Sequence, residues 1–566
     1  MSPKGLQSNF MNSHDAPSPR PEGAGAVIKA ATASRLTVFE ASAWPLLLIC
    51  ALGALLRLAP TVLGNFPLGD GGLYLVMTKA FEGHGFILPS TVTYGQDSLL
   101  YAYPPAAFIM TAALHSLTGI AELRLMSLLP PLFATATIPA AYLVARDFFK
   151  GEPELCRGQS ARHLALATAL IFALSPNAYR IIFLGGGLTK APGLFFGLLA
   201  IWCGLRLLRE QRAYDVILTS LFGGIALLFH PDGGLFVAIS LTLLVLRHWS
   251  VRNLSLLILA AAGAAVVSAP WWAQLVMSHG ISPLLSAGSV SAELNIITFF
   301  TGNAPPILLL WLFWAGLIMV ARRRSWILPL WLFIVIWLDS RNVVHDGAFV
   351  LAMIASLGAL YGGRRALNFL VSAYHRLGLP GATEAPVLRR LVVVIFVVIT
   401  AVPTLLWPLS AVGPRVPLGP GDVAAMSWLK TSGAPGGAVV LTGSPWWYDD
   451  LSEWFPALSD HTNLNAVQGY EWLGQAAWAK KIKLSADLQA CVLQTVPLFC
   501  LESALTQDDA RPTLLYVAGP DSETAIAYHT DFALALRLAL DADPTHWQRV
   551  FHSNFASIYQ RAGTPP

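Results

Sequence analysis

The chain has 566 residues, 55% of them hydrophobic and only 12% charged, with a mean hydropathy of +0.58. So few polar side chains cannot coat a water-soluble protein of this length, which excludes a soluble globule. The formal charge of +4 is small, and Lys and Arg fall in short clusters between apolar runs rather than in one stripe, which argues membrane orientation and against a nucleic-acid partner.

In chain order, residues 1–43 are rich in Ser, Pro, Ala and Gly and read as a disordered cytoplasmic tail. Trp44 to Leu63 is long enough to stay in the bilayer as a first span instead of being removed as a signal. A first external loop over 64–123 follows. It opens with Gly69-Asp70-Gly71-Gly72-Leu73-Tyr74, which places a carboxylate at the membrane surface. Asp70 could take a proton from a hydroxyl nucleophile, with the glycines letting a substrate approach the backbone. An Asp-Gly turn or a helix cap explains the same residues. Later in the loop, residues 102–120 begin with Tyr103-Pro104-Pro105 and are marginal in length; they are expected as a juxtamembrane or re-entrant helix, leaving Arg124 to Ala145 as the second span.

Lys and Arg in short loops set topology. The basic loops, Arg146 to His163, Arg206 to Arg212, Arg247 to Arg252, Arg322 to Arg324 and Arg364 to Arg390, alternate with loops poor in Lys and Arg. Basic loops are therefore expected to be cytoplasmic, and the alternate loops and the chain after about Val412 external. Further spans are expected near 164–182, 188–208, 214–230, 233–247, 252–270, 304–321, 325–339, 347–362 and 391–411. The fold class is then a polytopic α-helical membrane protein of about eleven transmembrane helices over 44–411, with an extracytoplasmic α/β domain over 415–566. In that domain Asp422 to Lys430 has helical spacing, and Ala438 to Thr442, Thr513 to Ala518 and Ala556 to Tyr559 read as strands. Cys491 and Cys500 share it and can pair if it faces an oxidising space.

Three polar breaks fall on the external side. At Leu184-Gly185-Gly186-Gly187-Leu188-Thr189-Lys190, glycine amides and Lys190 could meet a phosphate; a tight hairpin with a snorkelling Lys is the plainer account. At His230-Pro231-Asp232 the proline breaks the chain, and His230 with Asp232 could bind an anionic headgroup or form a capped turn. Asp339 to Asp346 holds Arg341 and His345, ionisable groups near membrane depth that prompt a functional hypothesis, although mutual salt bridges would also explain them. Trp446 and Trp447, in Ser444-Pro445-Trp446-Trp447-Tyr448-Asp449-Asp450, suit a sugar face or a membrane interface. No HExxH, CxxC or EF-hand pattern is present, so a metal is not compelled.

Together these features resemble the GT-C superfamily of membrane glycosyltransferases, which includes protein O-mannosyltransferases, aminoarabinose transferases and oligosaccharyltransferase catalytic subunits. In that superfamily an essential Asp in the first external loop is followed by a Pro-Pro-containing segment and then an Arg; the matching positions are Asp70, Tyr103-Pro104-Pro105-Ala106 and Arg124. The chain departs from it where many members have Asp-Glu, having Asp70-Gly71, and where oligosaccharyltransferases have a metal-binding Asp-x-Asp, having Gly186-Gly187-Leu188-Thr189-Lys190. Trp446-Trp447-Tyr448-Asp449 is similar to their Trp-Trp-Asp-Tyr motif with the last two residues exchanged, and its acceptor role is not carried over.

The resemblance implies inverting transfer of a sugar from a polyprenyl-phosphate donor to an unidentified acceptor at the outer face of the plasma membrane. Asp70 would be catalytic; Lys190, His230, Asp232, Arg341, His345, Trp446 and Trp447 would form the substrate site. No cofactor is expected, and a divalent metal is not favoured. Membrane lipids are the surrounding partners. A transporter or lipid flippase, or a non-catalytic membrane scaffold, are the rival readings.

Overall fold

The structure, a computed structural model, describes residues 43–59, 61, 69–95, 98–179, 182, 186–289, 307–338, 343–376, 394, 398, 402, 418–432, 436–444, 449–507 and 511–563. The expected tail, Arg341, Trp446, Trp447 and almost all of the expected 391–411 span lie outside them. The interactions given below fall within residues 49–566, which form one compact unit.

Apolar runs become helices because, away from water, only bonds within the segment satisfy the backbone. After α1 (Ala43–Ala59) come α2 (Gly71–Gly83), a short hairpin of β1 (Thr91–Thr93) and β2 (Ser98–Leu100), and α3 (Ala106–Thr118). Helix α3 has 13 residues and ends on Gly119 in the left-handed conformation. At about 20 Å it is shorter than a bilayer's hydrocarbon thickness of about 30 Å, as are α5 and α12 in their described lengths.

The bundle follows as α4 (Glu122–Gly151), α5 (Ala161–Leu174), α6 (Gly187–Glu210), α7 (Ala213–Phe229), α8 (Pro231–Arg247), α9 (Val251–His279), α10 (Ser282–Ser289), α11 (Ile307–Arg322), α12 (Ile327–Leu338) and α13 (Val343–Arg376). Among the described residues four helices are long and apolar enough to cross a membrane: α4, α6, α9 and the His345–Gly362 part of α13. Side-chain caps fix several starts. Ser160 accepts from the His163 amide before α5, and Ser250 from the Asn253 amide before α9.

The basic loops gather at one end of this bundle. Arg247 reaches Glu152 at 3.1 Å and Glu154 at 2.8 Å, Arg323 donates to the Glu154 carbonyl at 3.1 Å, and Arg209 to the Asp147 carbonyl at 2.6 Å. The starts of α6, α8 and α13 meet away from that end, where α6 and α8 cross closely. A Cβ on Gly233 would stand 2.9 Å from the Gly193 carbonyl oxygen, so glycine there lets the helix starts bearing Lys190 and His230 approach each other.

The terminal region contains α14 (Pro420–Ser432), β3 (Ala438–Leu441), α15 (Asp450–Ser459), α16 (Gln475–Val492), α17 (Pro497–Gln507), β4 (Leu514–Ala518), α18 (Glu523–Tyr528), α19 (Leu534–Asp541), β5 (Trp547–His552) and β6 (Ala556–Arg561). Its sheet runs β3-β4-β6-β5, with β3 parallel to β4 and the other pairs antiparallel. Side chains alternate between faces with period two. Val439, Leu441, Leu515, Val517 and Tyr559 pack with Leu488, Leu501 and Leu536 of the helices. Val440, Tyr516 and Ile558 join a second core that also contains Leu73, Tyr74, Tyr94 and Tyr103 from the segment between α1 and α4.

Cys491 and Cys500 form a disulfide between α16 and α17. Closing a loop of sequence separation 9 restricts the unfolded chain by about 2–3 kcal/mol. Replacing both cysteines by Ser is expected to lower the terminal region's unfolding free energy by about that amount in denaturant melts.

Gly72, two residues after Asp70, packs closely against the chain's own α15. A Cβ on Gly72 would sit 2.0 Å from the Glu453 carbonyl oxygen of α15 and 3.0 Å from the Trp454 Cα. Because the obstacle is backbone, Gly72→Ala is expected to cost about 1–3 kcal/mol, read as a lower thermal midpoint in tryptophan fluorescence.

Candidate functional site

Asp70 occupies the N-cap position of α2, yet its side chain makes no capping hydrogen bond. Helix capping therefore does not account for this carboxylate. Its neighbour Gly69 donates its amide to Asp450 Oδ1 at 2.6 Å, so the turn carrying Asp70 is tied to the start of α15. Further ties run the same way. Lys79 donates to the Ala457 carbonyl at 3.3 Å, the Asn463 amide to the Tyr94 carbonyl at 3.2 Å, and the Tyr103 hydroxyl to Glu471 at 2.5 Å. Trp271 and Gln274 of α9 hold the loop from the bundle side, donating to the Ala102 and Leu88 carbonyls at 3.0 and 2.7 Å.

Lys190 lies in the first turn of α6. His230 precedes α8 in extended backbone, and its Nδ1 accepts the Asp232 amide at 3.2 Å. The expected cap is thus reversed: the histidine caps, and the Asp232 carboxylate lies 4.0 Å from Lys190. From α13 come His345 and Asp346, which are 6% and 3% exposed. Lys190, His230, Asp232, His345 and Asp346, with Leu194 and Gly233, line one cavity of about 10 Å³, room for one water molecule. Neither ring nitrogen of His345 makes a well-formed hydrogen bond among the described residues, although the Lys190 backbone lies close enough to act on the ring. A buried ring in that state has hydrogen-bonding capacity left for something entering the cavity.

Asp70 does not line that cavity, but it is joined to it through one layer of side chains. Burial, then the Asp70 charge, push the Tyr74 hydroxyl well above its ordinary pKa, while a hydrogen bond from Thr189, the residue before Lys190, acts in the opposite sense. Leu73, Tyr74 and Tyr103 share a core with Leu188 and Phe229, the latter adjacent to His230. The structure thus brings Lys190, His230, Asp232 and His345 together, with Asp70 in the adjoining layer.

Sequence reasoning missed Asp346 as a cavity residue, although it closes the polar Asp339 to Asp346 segment. It also missed the partners of Asp70 in α15. Asp449 caps α15 by accepting the Ser452 amide at 2.8 Å, and Asp450 takes Gly69. Glu453 is wholly buried. Burial first, then Asp70 and Asp449, push its carboxyl up to about 8, against its hydrogen bonds with the Val467 amide and the Tyr94 hydroxyl. Its proton is kept in the folded chain and released in the unfolded one at neutral pH. The stability it contributes is therefore full below the ordinary glutamate pKa and lost as pH rises towards about 8.

Among the described residues Glu82, His115 and Glu122 form a group able to hold a metal ion. It gathers at the end of α2 remote from Asp70, where Ser116 donates to Glu82 at 2.9 Å and His115 stands 4.0 Å from Glu122.

The fold is thus a set of apolar helices with polar breaks at one end, joined to a terminal region whose helices and four-stranded sheet hold the segment bearing Asp70. No family model matches the chain, and no curated protein does. Among solved structures, the archaeal oligosaccharyltransferase AglB from Archaeoglobus fulgidus, in complex with an inhibitory peptide and a dolichol-phosphate, is similar over 93% of this chain and 75% of its own, with a TM-score of 0.54 at 12% identity. ArnT from Cupriavidus metallidurans bound to undecaprenyl phosphate is similar over 92% and 99%, with a TM-score of 0.54 at 13% identity. The arabinofuranosyltransferase AftD from Mycobacteria is similar over 91% of this chain and 41% of its own, with a TM-score of 0.55 at 15% identity. At such identities the likeness is one of fold.

Proposed function

We propose that this protein is an inverting, metal-independent glycosyltransferase that moves a sugar from a polyprenyl-phosphate donor to an acceptor at the outer face of the plasma membrane. The observation that carries the reading is the Lys190–His230–Asp232–His345 cavity, whose neighbours Leu188 and Phe229 share a core with Leu73 and Tyr74 of the helix that Asp70 begins. Two structures of similar fold contain a polyprenyl or dolichyl monophosphate. In the proposed reaction Asp70 takes the proton of the acceptor hydroxyl as its oxygen attacks the anomeric carbon. The bond to phosphate breaks on the opposite face of the sugar, which inverts the centre. Lys190 offsets the charge that develops on the departing phosphate, displaced from its pairing with Asp232, while His230 and His345 supply donors around it.

Arg341, Trp446 and Trp447 retain their proposed substrate-binding roles. Lys190, standing where a metal-binding enzyme would need an acid, supports charge neutralisation by the protein itself. The proposed orientation puts the amino terminus in the cytoplasm and the terminal region outside, where its disulfide suits an oxidising space.

Binding tests the donor class. A polyprenyl monophosphate should raise the thermal midpoint of the purified protein, and a polyprenol of equal chain length should not. Equal stabilisation by both lipids would contradict a site built for phosphate.

A further inference from the structure

The Tyr94 hydroxyl lies 2.5 Å from the backbone carbonyl oxygen of Glu453 and 2.7 Å from Glu453 Oε2. A phenol has one hydrogen to give. The carbonyl can only accept, so the Tyr94 hydrogen serves it, and the contact to Oε2 then needs a hydrogen from the carboxyl side. The other carboxyl oxygen, Oε1, accepts the Val467 amide at 2.8 Å. With a proton on Oε2 every polar atom in this buried network is satisfied. Without one, two oxygens face each other with no hydrogen between them, at a position with no exposure.

We infer that Glu453 is a positioning residue for Asp70: as a neutral carboxylic acid it locks the first external loop onto the terminal region through Tyr94, and so fixes where the Asp70 carboxylate stands. The inference rests on the reading of Asp70 as the base. The groups facing Glu453 are Asp70 at the start of α2, Tyr94 after β1, and Asp449 beside its own helix. Asp450 of α15 is engaged by Gly69, and Lys79 of α2 points to the Ala457 carbonyl. The ionisable neighbours acting on Glu453 are thus acids, and a second negative charge would arise next to Asp70 if its proton were lost. Gly72, pressed against the Glu453 carbonyl, makes any shift of α15 a shift of the turn bearing Asp70.

The test compares the full-length protein with Glu453→Gln and Glu453→Ala in sugar transfer and in pH-difference infrared spectra. A Gln amide donates to Tyr94 and accepts from Val467, reproducing both bonds. E453Q should therefore keep parental transfer at neutral pH and hold it as the parent declines above about 8. E453A should lose about 100-fold in kcat with little change in donor KM. The parent should show a carboxylic-acid carbonyl band at neutral pH that E453Q lacks and that disappears as pH passes about 8. Absence of that band from the parent, or an alkaline decline in E453Q matching the parent's, overturns the inference. The infrared result does not depend on turnover, so it stands even if E453A does not fold. It also separates this inference from the base assignment, which an active Asp70→Asn variant would remove by itself.

Discussion

Replacing Asp70 by Asn is expected to lower sugar transfer by about 10²–10⁴-fold, the usual contribution of a positioned general base, while the chain stays folded. Asn is nearly isosteric and the Asp70 side chain makes no capping bond, so α2 loses little. The Gly69 amide still reaches Asp450, and the Tyr94–Glu453 contact is untouched. The check is steady-state kinetics beside a thermal melt: kcat should collapse with the midpoint nearly unchanged. A parental rate in a folded D70N protein removes Asp70 from the chemistry.

Lys190→Met is expected to cost about 10²–10³-fold in kcat, as for other groups aimed at charge that develops in the transition state. Met keeps the length and the apolar stem while removing the charge, so the loss should fall on kcat more than on donor KM. The partial burial of Lys190 and its 4.0 Å distance from Asp232 mean that the substitution also leaves an acid less well compensated. Asp232→Asn combined with Lys190→Met controls for that effect. If the double variant recovered transfer, the loss would belong to the stranded carboxylate and not to phosphate stabilisation.

Much of this arrangement was legible in the sequence because it rests on local pattern. The alternation of basic and Lys/Arg-poor loops anticipates the end of the bundle where Lys190, His230 and His345 meet. The shortness and Tyr-Pro-Pro start of residues 102–120 anticipate the brief helix α3. Short, nearly continuous apolar runs mark β3 and β4, and Ala556 to Tyr559 marks the start of β6. The clasp around Asp70 was not legible, since Tyr94 and Glu453 are 359 residues apart and Gly69 and Asp450 381 apart, separations that no periodicity encodes. Gly72 shows why: a small residue reports that something approaches the backbone, and only the fold shows that it is the chain's own Glu453 carbonyl. For the same reason Asp449 and Asp450 were visible as an acidic pair, but their division into helix cap and loop anchor was not. Strand β5 and the β1–β2 hairpin, short and partly polar, gave too weak an alternation to be read.

The terminal region, on this account, has a direct mechanical connection to the reaction: it grips the loop that presents the base, while the membrane helices gather the cationic and imidazole groups that meet the phosphate. The measurement that bears most directly on the central claim follows a sugar label on a polyprenyl-phosphate donor supplied to the purified protein in liposomes with an acceptor extract. The account predicts that label leaves the lipid and free polyprenyl phosphate accumulates with the parental chain, and that neither happens with D70N. Label that stays on its lipid and merely changes leaflet would contradict it, and would make the protein a carrier of lipid-linked sugars instead of an enzyme that consumes them.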